Sequence, residues 1–103
     1  MSEVLEKLKA QYGKVATLEV PLDEDDNTKV AVIYLKRPDR NTRAIVEKLA
    51  SKDSSKAIEA ALKAMWVGGD KLELITSNDY AIATCDEPIA ELMTVQKAVL
   101  KKN

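Results

Sequence analysis

The hydrophobic pattern changes period at Pro38, and that switch limits the folds open to the chain. Before it, Ala16, Leu18, Val20 and Leu22 alternate with the polar Thr17 and Glu19. This is the period of a half-buried strand over residues 15–22, with Pro21 suited to an edge position. A second strand follows over residues 29–36. Its centre, Val30-Ala31-Val32-Ile33-Tyr34-Leu35, is apolar on both faces, which predicts cover on both sides, at least in part. The polar connection, residues 23–28, is short enough for an antiparallel hairpin. Two strands alone are marginal in water, so helices must cover them.

After Pro38 the period becomes helical. Asp39 or Asn41 caps a helix over residues 41–51 that should bury Ala44, Ile45 and Leu49. Asp53 or Ser54 caps the next, residues 55–67, where Ala57/Ile58, Ala61/Leu62 and Met65/Trp66 recur every four residues. Gly68-Gly69 should end it. Leu72, Leu74 and Ile75 suit a third short strand, and Ser77 a cap for a short helix through Cys85. Pro88 fits the first turn of a last helix reaching Lys101, with Ile89, Leu92, Met93, Val99 and Leu100 inward and Gln96 interrupting the stripe. At the other end, Leu5, Leu8 and Tyr12 form an N-terminal stripe closed by Gly13.

The expected fold class is therefore α+β: an antiparallel β-hairpin, with room for a third short strand, packed against four to five α-helices. At 103 residues the chain suits one domain, with the helix in residues 1–13 as the element free to move or exchange. The expected core is Leu18, Val20, Ile33, Leu35, Ile45, Leu49, Ile58, Leu62, Trp66, Ile89, Leu92 and Met93. With no Phe in the chain, it must be aliphatic.

The residue inventory narrows function. There is no His and one Cys, Cys85. Ser-His-Asp and Cys-His nucleophile systems are impossible, as are zinc sites of Cys and His. A lone Cys makes no internal disulfide, which fits a reducing cytoplasm. No glycine-rich phosphate loop occurs. Sixteen Lys and Arg stand against 17 Asp and Glu, a net charge of −1, which weakens a nucleic-acid reading. No apolar run is long enough for a membrane span, and the acidic N-terminus does not read as a secretory signal. No cofactor is expected, and the inventory points away from an enzyme.

Four features invite a functional reading. Asp23, Asp25 and Asn27 begin like a calcium loop, but Thr28 stands where the turn needs Gly and Tyr34 where a bidentate Glu belongs, so the loop reads as a solvated turn. Lys36, Arg37, Arg40 and Arg43 cluster at the strand-to-helix junction. They suit a phosphate or nucleic acid, a protein partner, or an ordinary solvated face. Cys85 reads as a buried structural thiol. Trp66-Val67-Gly68-Gly69-Asp70 reads as a helix end and turn, with a partner contact at Trp66 as the alternative. The terminal stripes Leu5/Leu8 and Val99/Leu100 are further candidates for a partner helix or self-association.

Leu35-Lys36-Arg37-Pro38-Asp39-Arg40 with Arg43 one turn on, then Ala61-Leu62-Lys63-Ala64-Met65-Trp66-Val67-Gly68-Gly69-Asp70, then Ile89-Ala90-Glu91-Leu92 leading to Lys101-Lys102, resemble the tail assembly chaperones of long-tailed phages and prophages. The resemblance spans roughly residues 29–103, and Met65 stands where that family often has Cys. It implies a non-enzymatic protein that coats the tape-measure protein, gives way to tail tube subunits, self-associates around its client and acts in the cytoplasm of a bacterial host. The alternative is a small adaptor or regulatory domain that binds a folded protein and has no part in phage assembly.

Overall fold

The hairpin forms where alternation places it. In the computed structural model, described for residues 2–94 and 98–102, β1 (Val15–Pro21) pairs antiparallel with β2 (Val30–Lys36). Leu18 faces Ile33 and Val20 faces Ala31 across the pair. Cross-strand partners share a face, so one face of the sheet carries Leu18, Val20, Ala31, Ile33 and Leu35. The intervening turn is held by its own carboxylates: Asp23 accepts the Asp25 N–H at 2.9 Å, and Asp26 accepts the Thr28 N–H at 3.0 Å.

Ahead of the hairpin lies α1 (Ser2–Tyr12), ended by Gly13 at φ 83° with its N–H on the Lys9 carbonyl. After it come α2 (Arg40–Ala50), α3 (Ser54–Met65), β3 (Trp66–Gly69), α4 (Glu73–Thr76), α5 (Asp79–Thr84) and α6 (Asp86–Met93). The sheet order is β1-β2-β3, all antiparallel. The fold is α+β, as the pattern predicts. Asp39 caps α2 and Asp53 caps α3, each through a side-chain oxygen on backbone N–H groups of the first turn.

The third strand lies elsewhere than expected. Leu72, Leu74 and Ile75 fall in or beside the short helix α4, and α3 stops at Met65. Trp66–Gly69 then pairs with β2, so the two glycines belong to a strand and not to a helix cap. The register slips between Tyr34 and Leu35, a bulge that leaves Trp66 opposite Leu35 and Gly69 opposite Ile33. Only glycine fits at position 69. Its φ is +95°, and a Cβ there would lie 2.5 Å from the Val32 carbonyl oxygen. Asp70 continues the pairing: its N–H donates to the Val32 carbonyl and its carboxylate accepts the Val32 N–H, each at 2.8 Å.

The core lies between the sheet and the helices. Val20, Ile33, Leu35, Ile58, Leu62 and Ile89 are buried as expected, joined by Val46, Met65, Ile75, Ala81, Ile82 and Cys85. Leu18, Leu49, Leu92 and Met93 are partly buried against it. Two expected core residues are not core. Ile45 is 47% exposed because α2 is turned one residue, burying Val46; Ala44 is exposed with it. Trp66 is 37% exposed because it begins an edge strand. On the far side of the sheet Tyr34 is buried, and Leu8 of α1 and Tyr34 both border Gly68: a Cβ there would stand 3.1 Å from Leu8 Cδ1 and 3.7 Å from Tyr34 Cδ2. Thus the N-terminal stripe docks, in part, on the chain's own sheet, and β2 is covered on both faces over part of its length, with Val30 left exposed.

The last helix is shorter than its sequence pattern. α6 ends at Met93, and Thr94 is extended at ψ 129° with its hydroxyl on the Ala90 carbonyl. Ala98–Lys102 is not helical, and Val99 and Leu100 are 78% and 86% exposed, not inward. The expected interruption at Gln96 and the cation Lys97 lie outside the described residues. Ser77 closes α4, and Asn78 caps α5 in its place, accepting the Ala81 N–H.

Two stability measurements check this packing. Leu62→Ala, at a fully buried position, should cost about 2–5 kcal/mol in denaturant unfolding. Gly69→Ala should cost clearly more than Gly13→Ala. Both glycines have positive φ, but a Cβ at Gly13 meets nothing within 4 Å. Gly13→Ala thus carries only conformational strain, of about 1–2 kcal/mol. Equal losses at the two positions would show that the β3 approach is not tight.

Candidate functional site

Register brings distant residues to one end of the sheet. Val15 pairs with Lys36, so Lys14 stands next to the point where the chain leaves β2 through Arg37 and Pro38. The first turns of α2 return Arg43 to that point, and α6 supplies Glu91 and Leu92. Together they line an open groove of about 550 Å³. Its apolar wall is Val15, Ala16, Leu35, Pro38 and Leu92; its charged groups are Lys14, Lys36, Arg37 and Arg43 against the single carboxylate of Glu91.

None of these cations is in an ion pair among the described residues. Among the described residues, the ion pairs join Lys29 to Asp23 and Lys63 to Glu59, away from the groove. Lys36 lies over the Tyr12 ring, 5.7 Å from its centre, tying the end of α1 to the groove. Arg43 is half-buried, and its Nε is shut off from solvent with no hydrogen-bond partner among the described residues. A buried N–H without an acceptor is costly, and an arriving carboxylate would satisfy it. Asp39 stands beside this cluster. The Thr42 N–H, 2.7 Å away, holds its carboxyl below the usual aspartate range, with help from the Thr42 side chain, Lys36 and Arg43.

The remaining candidates are dispersed. Arg40 is exposed on the first turn of α2 and does not line the groove, whereas Arg37 and Arg43 do. Trp66 lies on the β3 edge, its indole N–H donating to the Asp70 carbonyl at 3.1 Å. Leu5 and Leu8 are half-buried on α1, and Val99 and Leu100 lie past the last helix. Asp23 and Asp26 are engaged in turn hydrogen bonds, and the described residues hold no cluster of three or more potential metal ligands. Burial pushes the Cys85 thiol up, only partly opposed by Thr84. Such a thiol is a poor nucleophile at neutral pH. Lys14 and Glu91 were not among the site candidates of the sequence, and Leu92 was expected only as core. Lys14 is recoverable from the hairpin register alone; the approach of α6 is not.

The groove is cationic and apolar. It offers four cations, one guanidinium N–H with no partner among the described residues, and an apolar wall. No protein-family model matches the chain, and no curated protein matches it. An uncharacterised protein from Bacillus stearothermophilus, rbstp2171, has a similar solved structure. Its TM-score is 0.64 at 18% sequence identity, over 95% of this chain and 99% of that one. At that identity the likeness is one of fold. No helix among the described residues is long and apolar enough to cross a membrane.

The acid side of the stability profile tests the local electrostatics. The fold favours the charged forms of Asp26 and Asp39, whose pKa values are lowered by hydrogen bonds from Thr28 and Thr42 respectively. Their contribution is full above the ordinary aspartate pKa of about 3.9 and is lost as pH falls through the lowered values. Asp39→Asn keeps a capping side chain without the titration. It should lower stability modestly at pH 7, where the charged form contributes in full, and flatten the further loss below about pH 4, measured by urea unfolding across pH.

Proposed function

We propose that this chain is a non-enzymatic polypeptide-binding protein, a phage or prophage tail assembly chaperone whose client is the tape-measure protein. The observation that carries the binding role is the groove at the end of the sheet: four cations and the unpartnered Arg43 Nε beside an apolar wall. That chemistry suits an extended or helical client segment presenting apolar side chains and one or more carboxylates. Support for the particular client is the resemblance of residues 35–43, 61–70 and 89–102 to tail assembly chaperones. The first of these strings supplies Leu35, Lys36, Arg37, Pro38 and Arg43 to the groove. In this reading the protein acts in the cytoplasm of a bacterial host, self-associates on its client and yields to tail tube subunits.

Co-expression with the tape-measure protein of the same phage or prophage is the direct test. The client should become soluble with the native chain. The Lys36→Glu/Arg43→Glu variant, checked for folding by circular dichroism, should lose that effect. A client that stays insoluble beside a folded native chain, or one rescued equally by the variant, would overturn the proposal.

A further inference from the structure

A second groove has the opposite chemistry. It lies between α2, α3 and α6, encloses about 280 Å³, and is lined mainly by Val46, Ala57, Ile58, Ile89, Ala90 and Met93. Its charged lining is acidic, Glu47 and Asp86. That volume lies below the roughly 300–1,000 Å³ of drug-sized ligand sites and suits a pair of aliphatic side chains. The chain also carries an unburied segment of matching character. Val99 and Leu100 are more exposed than any other large hydrophobic residues among those described, and Lys101 and Lys102 follow them.

We infer that this groove receives Val99 and Leu100 of a second copy of the chain, with Lys101 and Lys102 meeting Glu47 and Asp86. Two apolar side chains followed by two cations match an apolar floor flanked by two carboxylates. The segment's own groove does not hold it, because Val99 and Leu100 stand in solvent in the single chain. Each copy carries both halves of the contact, so reciprocal exchange closes as a two-fold dimer. The contact is small, which makes the dimer weak and concentration-dependent. The self-association read above is thereby given an interface distinct from the client groove and from α1.

Sedimentation of the full chain over a wide concentration range provides the test. The native chain should pass from monomer to dimer. Val99→Asp/Leu100→Asp alters a segment outside every helix and strand. Ala90→Arg fills the groove from an exposed helical position. Each should weaken dimerisation about tenfold or more, the effect of losing one well-buried aliphatic side chain. Lys101→Glu and Glu47→Lys should each weaken self-association, and a mixture of the two should restore it, since both contacts are then of opposite charge. A strict monomer throughout, a dimer indifferent to these variants, or a monomer whose groove signals shift on tail substitution would overturn the inference. None of these variants touches Lys36 or Arg43, so client rescue reports independently on the other groove.

Discussion

The approach of Gly69 to the backbone of Val32 is the contact on which much of this fold depends. It is close enough to exclude any side chain at Gly69, and Asp70 then grips Val32 through both its N–H and its carboxylate. This contact fixes β3 on β2 with no loop after α3. Helix α3 must therefore leave its last turn directly against the sheet, where Ala61, Leu62 and Met65 close the core. On the opposite face the bare backbone of Gly68 admits Leu8, so α1 can settle over Tyr34. A four-residue strand with two glycines has little intrinsic β-preference. Its stability comes from pairing and from the Asp70 clasp.

That origin explains what the sequence could and could not disclose. The hairpin was readable because alternation and a short polar turn are local signals, and the α3 stripe because three apolar pairs share one phase. β3 was hidden. The helical spacing of Ala61, Met65 and Trp66 runs on into the strand, and paired glycines are the usual sign of a helix end. The phase of α2 was ambiguous because Ile45 and Val46 are adjacent, so a single-residue rotation decides which is buried. The last helix was overextended because Val99 and Leu100 continue a pattern that no face of the same chain rewards with burial. The basic half of the candidate groove was visible as Lys36, Arg37 and Arg43. Of its apolar wall, Val15, Ala16, Leu35 and Pro38 follow from the hairpin register, whereas Leu92 required knowing that α6 comes to rest at that end of the sheet.

The two grooves divide the molecule chemically. A net charge of −1 conceals a cationic hollow at one end of the sheet and an acidic, aliphatic one among the helices. Helix α2 serves both, with Arg43 turned to the first and Val46 and Glu47 to the second. Helix α6 likewise gives Leu92 to one and Ile89 and Met93 to the other. The same helices thus set the spacing between two hollows of opposite charge. A segment whose charge suits one is repelled by the other.

The position of the one tryptophan gives the molecule an optical property. In most small domains indole emission follows collapse of the centre. Here the aliphatic interior contains no tryptophan, and Trp66 stands at the rim with its N–H bound to the Asp70 carbonyl. Its fluorescence therefore reports the state of the last strand and its clasp. The buried Tyr34, beneath α1, reports the other side of the same sheet. With Tyr12 and Tyr80 replaced by Phe, following the two remaining chromophores at separate wavelengths would resolve detachment of the edge from loss of the helix above it, with no label added to the chain.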